Sequence, residues 1–81
     1  MSDEHILVVD DDPRLLRLLQ RYLSENGYRV STALDAQTAR EVLQRIQPDA
    51  LVLDVTMPGE DGLSLTNSLR RDGLSLPILL L

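Results

Sequence analysis

Two stretches decide how this chain folds: Ile6-Leu7-Val8-Val9-Asp10-Asp11-Asp12 and Ala50-Leu51-Val52-Leu53-Asp54-Val55. Each is a run of Ile, Leu, Val or Ala into which carboxylates break at or near the end. A parallel strand covered by helices on both faces reads this way, and its carboxyl end opens into a crevice. Neighbouring strands lie about 4.8 Å apart, so if these two are adjacent their carboxylates share one small volume. Two carboxylates about 5 Å apart at an effective dielectric near 20 repel by about 3 kcal/mol. Three or four of them need a cation, a lysine or a proton, and the pattern asks for a divalent metal.

Between and after these stretches the chain alternates strand and helix. The first strand is expected over 6–10. Asp12-Pro13 then starts a helix, with Asp12 as its cap and Pro13 where a missing donor costs nothing. Leu15, Leu18, Leu19, Tyr22 and Leu23 form its apolar stripe, and Asn26-Gly27 ends it. Tyr28 to Thr32 reads as a second strand. Asp35 caps a second helix, with Ala36, Ala39, Val42, Leu43 and Ile46 at helical spacing until Pro48. The third strand spans Ala50 to Val55. A loop follows, Met57-Pro58-Gly59-Glu60-Asp61-Gly62, whose proline and glycines fix a tight backbone. Leu63, Leu65 and Leu69 mark a third helix closed by Arg70-Arg71, whose charges suit a helix C-terminus. Pro77 to Leu81 is a fourth strand, with Pro77 at its first position. This order implies right-handed crossovers and a parallel sheet.

Composition narrows the function. At 81 residues the chain is at most one domain, and a chain of that size buries only roughly 60 to 65% of its unfolded surface. Its net charge of −5 argues against phosphate-backbone binding by this segment. Without cysteine there are no disulfides and no thiolate metal sites, as suits a reducing cytoplasm. Met1-Ser2-Asp3-Glu4 lacks the basic start of a signal peptide, and no apolar run reaches the ~18 residues of a membrane span. A soluble cytoplasmic protein is expected.

Helix capping accounts for Asp12 but not for the Asp10-Asp11 doublet before it. A magnesium site does, because Mg²⁺ prefers carboxylate and water oxygens, and the nearby helix N-terminus adds donors for a phosphate. Asp54 stands in an apolar strand where an unpaired charge is costly. Held against a metal, it could attack phosphorus and form an aspartyl phosphate. His5 reads as a solvated residue. Arg14, Arg17, Arg21, Arg40 and Arg45 read as helix surface, with Arg14 nearest to anything docked at the acidic tip.

Together, Val8-Val9-Asp10-Asp11-Asp12, Leu53-Asp54 and Met57-Pro58-Gly59-Glu60-Asp61-Gly62 resemble the receiver domain of two-component response regulators, most closely the OmpR-like ones. The likeness spans nearly the whole chain. It implies a flavodoxin-like α/β fold with a parallel sheet of order 2-1-3-4, the fifth strand lying beyond this sequence. It also implies that Asp54 is the phosphoacceptor, and that Asp10, Asp11, Asp54 and the backbone carbonyl of Thr56 hold Mg²⁺. The implied donor is a phosphohistidine on a sensor histidine kinase, and the implied output an attached transcriptional domain. On this reading the chain is no enzyme beyond its own phosphorylation and dephosphorylation.

The family pattern continues with a Ser or Thr after the fourth strand and a Lys closing the fifth, and this chain stops at Leu81 before either. Residues 1–81 are therefore expected to be a partial receiver domain of four strands and three helices. Three consequences are expected: strong stabilisation by Mg²⁺, an inability to transmit a normal signal, and self-association through the apolar edge of the fourth strand. Two alternatives stay open at this point. A haloacid dehalogenase-like phosphatase would use Asp10 as nucleophile, and an unphosphorylated receiver fragment would act only by binding a partner.

Overall fold

The computed structural model describes residues 4–81, in the order β1 (His5–Val9), α1 (Pro13–Glu25), β2 (Arg29–Ala33), α2 (Ala36–Leu43), β3 (Ala50–Leu53), α3 (Gly62–Arg71) and β4 (Ile78–Leu80). The strands form one parallel sheet in the order β2-β1-β3-β4, as the alternating pattern implies. Leu7, Val8 and Val9 of β1 are fully buried, so the central strand is covered on both faces. Its residues run in register with both neighbours, and Val9 pairs with Ala33 on one side and Leu53 on the other. That register sets the site, because Asp10 and Asp54 leave adjacent strands at the same level.

The two faces are built differently. Leu7, Val9, Leu51 and Leu53 point toward α2 and α3, where they join Ala36, Ala39, Met57, Leu65 and Leu69 in the main core. Each fully buried leucine is worth about 1.5 to 3 kcal/mol, so most of the fold's apolar stabilisation lies there. On the other face α1 packs against β1 and β2. A groove of about 420 Å³, lined by residues including Ile6, Leu23, Val52 and Leu79, stays open over β3 and β4. The expectation that both faces of β3 are covered is thus corrected: Leu51 and Leu53 are buried, but Ala50 and Val52 only partly so.

Each helix begins on an aspartate, Asp12, Asp35 and Asp61 accepting the backbone N–H of Arg14, Thr38 and Ser64 at 2.9, 2.7 and 2.8 Å. In α1 the buried stripe is the expected one only in part, with Leu15, Leu19 and Leu23 half-buried. Leu16 is buried, whereas Leu18 and Tyr22 are 63% and 62% exposed. The apolar residues come as the doublets Leu15-Leu16, Leu18-Leu19 and Tyr22-Leu23, so two faces satisfy the same period and only tertiary packing chooses between them. In α3, likewise, Leu65 and Leu69 are buried while Leu63 is exposed. Helix α2 ends at Leu43, with Ile46 just past the turn that follows, its N–H still donating to the carbonyl of Val42 at 3.0 Å.

His5 is not simply solvated. It is partly buried, and its Nε2 lies 2.7 Å from the hydroxyl of Ser31. Its backbone N–H donates to Oδ2 of Asp49 at 2.8 Å, and the N–H of Asp49 donates to the carbonyl of His5 at 2.7 Å. Among the described residues no helix is long and apolar enough to cross a membrane.

Candidate functional site

At the carboxyl end of the sheet the ladder runs on past the strands. The N–H of Asp10 donates to Ala33 O at 3.1 Å, and that of Asp54 to Val9 O at 2.9 Å. Both backbones are thus tied to a neighbouring strand, which fixes where their side chains begin. Asp10, Asp11 and Asp54 each place a carboxylate oxygen within 4.8 Å of the others'. The expected convergence of these three is therefore present. Asp12 is drawn away to cap α1, using the N–H of Arg14, so that donor is not left for a phosphate.

The three carboxylates occupy unlike surroundings. Asp10 is 3% exposed. Burial pushes its carboxyl above the ordinary range, the N–H of Asp12 pulls it back, and the nearby Asp54 and Asp11 carboxylates push it up again. Asp11 is exposed and Asp54 intermediate. One oxygen of Asp54, Oδ1, accepts the N–H of Thr56 at 3.0 Å and its hydroxyl at 3.3 Å. No ion pair among the described residues reaches Asp10, Asp11 or Asp54. Arg14 turns to solvent, 86% exposed and 3.9 Å from Asp12. Among the described residues the cluster therefore has no ion-pair partner to offset its mutual repulsion.

Two features of the site lay beyond the sequence reading. The first is Gly62, at the start of α3. A Cβ added there would overlap the carbonyl oxygen of Asp54 and come within 3.1 Å of Val55 Cα. Helix α3 can thus start against the backbone of Asp54 only because residue 62 has no side chain. The second is Arg40, expected at the surface. It makes a two-pronged ion pair with Glu60 in the loop after β3. Neither residue has its partner nearby in sequence, so no local pattern could reveal the contact.

A model of the response regulator receiver domain matches residues 6–81. Over 80 residues the chain is 51% identical to the protein PetR of Rhodobacter capsulatus, and over 76 residues 53% identical to the response regulator MprA of Mycobacterium leprae. Those matches cover 99% and 94% of this chain but 33% of each relative, so the chain spans about a third of their length. Among solved structures it is similar to the response regulator TrrA of Thermotoga maritima in complex with Mg²⁺-BeF. There the TM-score is 0.89 and the identity 35%, covering 95% of this chain and 67% of that one. It is also similar to the chemotaxis protein CheY4 of Vibrio cholerae, with TM-score 0.92 and 28% identity over 98% of this chain and 68% of that one.

The chain belongs to the response regulator receiver domain family, and its parallel sheet is the flavodoxin-like receiver sheet. Receiver domains are in general signalling domains of two-component systems rather than enzymes. This assignment decides against the haloacid dehalogenase-like alternative.

Proposed function

We propose that Asp54 accepts a phosphoryl group from a phosphohistidine of a sensor histidine kinase, beside a Mg²⁺ ion held by Asp10, Asp11, Asp54 and the carbonyl of Thr56. The observation that carries this reading is the convergence of three carboxylates from two adjacent strand ends within 4.8 Å. The donor set fits the ion: three hard oxygens with no sulfur or imidazole among them, spread so that small side-chain rotations reach ligand distances of about 2.1 Å. When bound there, Mg²⁺ would offset the carboxylate charge and withdraw electron density from the phosphoryl oxygens.

The chain's own residues do the rest. The Thr56 N–H and hydroxyl hold Asp54 Oδ1, which fixes the carboxylate plane and leaves the second oxygen as the nucleophile. That oxygen forms a bond to phosphorus as the phosphorus–nitrogen bond of the donor breaks. The imidazole leaves with the electron pair and takes a proton from solvent. Asp10, almost closed to water, supplies a fixed negative charge beneath the site. We assign the chain to the cytoplasm, where phosphorylation would govern a transcriptional output.

Incubation with acetyl phosphate, with and without Mg²⁺, tests the reading by intact mass. The expected result is an added phosphoryl group only with Mg²⁺, and none on Asp54→Ala. Equal labelling of Asp54→Ala overturns it. No labelling of the wild type, with partner binding unaffected by Asp54→Ala, would favour an unphosphorylated binding module.

The 81-residue polypeptide should also self-associate through β4. Leu79, Leu80 and Leu81 are exposed there, and β4 is the outer strand of the sheet in these 81 residues, with β3 on its other side. Sedimentation should show association that rises with concentration, and a sharp monomer throughout would reject it.

A further inference from the structure

We propose that the Arg40–Glu60 ion pair is a positioning clamp for the phosphoacceptor: by pinning the loop after β3 to α2, it sets where α3 begins and so where Asp54 and Thr56 stand. The inference rests on the reading of Asp54 given above. Arg40 donates from Nη1 to Glu60 Oε1 at 2.5 Å and from Nη2 to Oε2 at 2.7 Å. The same Nη2 lies 3.3 Å from the hydroxyl of Ser68 on α3, and Ser64 donates its hydroxyl to Glu60 Oε2 at 3.4 Å. One guanidinium thus joins α2, the loop and α3.

This pair differs in kind from Arg14–Asp12 and Arg21–Glu25, which link near neighbours in sequence at the surface. Exposed pairs of that sort contribute little. Arg40 and Glu60 are only 31% and 27% exposed and lie 20 residues apart in sequence. A fork-to-fork contact between a guanidinium and a carboxylate adds direction as well as energy. Each partner also stabilises the other's charge, holding Glu60 below and Arg40 above their ordinary values.

The segment between β3 and α3 has no regular structure to hold it. It contains Pro58 and Gly59, the latter at φ +80°, and its one deeply buried apolar side chain is Met57. Three residues beyond Met57 stands Glu60. Two residues beyond Glu60 stands Gly62, whose missing Cβ lets α3 press on the Asp54 carbonyl. Gly62 also donates its N–H to Val55 O at 3.1 Å. A shift of the loop at Glu60 is therefore passed within two residues to the backbone that carries the nucleophile.

The test compares wild type with Arg40→Met and with the reversed pair Arg40→Glu/Glu60→Arg. In metal-free protein, hydrogen exchange at the N–H groups of Thr56 and Gly62 should quicken about tenfold in Arg40→Met as that segment opens more often. Mg²⁺ affinity by calorimetry should weaken about tenfold, the size of effect seen when groups that orient metal ligands are lost. The reversed pair should recover much of both. Val42→Ala, which loosens the core near α2, should lower the melting temperature without quickening Thr56 selectively. If Arg40→Met melts earlier but keeps wild-type Mg²⁺ affinity and Thr56 exchange, the pair is only structural and the proposal falls. Arg40→Lys, which keeps the charge and loses the fork, should fall between wild type and Arg40→Met; should Arg40→Met not fold, a Lys variant matching wild type in both readouts overturns the clamp. A wild type that takes no phosphoryl group on Asp54 would fail the function reading, while exchange in metal-free protein still decides the clamp.

Discussion

The two ends of the sheet are opposite solutions to the same problem. At the amino end, polar groups close on one another: His5 and Asp49 exchange two hydrogen bonds, and the His5 ring meets Ser31. At the carboxyl end, Asp10, Asp11 and Asp54 face each other with no cation among the described residues to balance them. The first arrangement is complete as it stands. The second becomes favourable only when something positive arrives, and that is how a binding site differs from a structural contact. The same strands carry both, so the difference lies in what the loops bring to each end.

The largest expected effect comes from forcing a side chain into the tighter end. Gly62→Ala must displace either α3 or the Asp54–Val55 backbone, and overpacking of that kind costs about 2 to 3 kcal/mol. Phosphorylation of Asp54 should fall with it. At the amino end Asp49→Ala should cost about 1 kcal/mol for its lost hydrogen bond and leave phosphorylation untouched. Denaturant unfolding and intact mass, run on both variants, check this. A Gly62→Ala protein as stable and as readily phosphorylated as wild type would remove the wedge from the account.

Next in size is the response to added Mg²⁺. Mg²⁺ at ten times its dissociation constant should stabilise the fold by about 1.4 kcal/mol, a rise of roughly 6 to 10 °C in melting temperature for a chain of this length. Asp10→Asn should blunt that rise and, in EDTA, should melt above wild type, because it removes a buried charge and its repulsion. Differential scanning calorimetry reads both. An unfolding midpoint indifferent to millimolar Mg²⁺ would place the carboxyl end in the same class as the amino end.

Much of this was legible in the sequence because the decisive signals were local. Apolar runs gave the strands to within a residue or two at most ends, Asp12 and Asp35 announced their helices, and Asp10, Asp11 and Asp54 stood out against apolar surroundings. The misreadings came where local pattern is degenerate or silent. Helix α1 carries leucine doublets that fit two faces equally, so its buried side depended on where β1 and β2 lay. Arg40 and Glu60 are unremarkable on their own, since a contact between α2 and a loop 20 residues away leaves no periodic trace. His5 looked like a solvated residue until Asp49 and Ser31 were brought beside it.

The smallest expected effect, and the one that separates the carboxylates, is the pH dependence of the metal-free fold. Asp10 takes up its proton above the ordinary carboxylate range, chiefly because burial disfavours its charge. A carboxyl whose folded value is raised favours the folded state when protonated, so its contribution is fully present below the unfolded value and is lost as pH rises through the folded one. Asp35 and Glu60 run the other way. Their folded values are lowered, by the Thr38 N–H and by Arg40 respectively, so their contributions are present above the unfolded values and vanish as pH falls through the folded ones. In EDTA, stability should therefore climb as pH drops from neutral toward the ordinary carboxylate range, while Asp10 protonates and Asp35 and Glu60 stay charged. Below that range it should fall. Asp10→Asn should flatten the climb and keep the fall, and Glu60→Gln should keep the climb and soften the fall. Thermal melts of the three proteins across that range decide it: a wild type whose stability only declines on acidification would mean that Asp10 is no more strained than the aspartates that cap the helices.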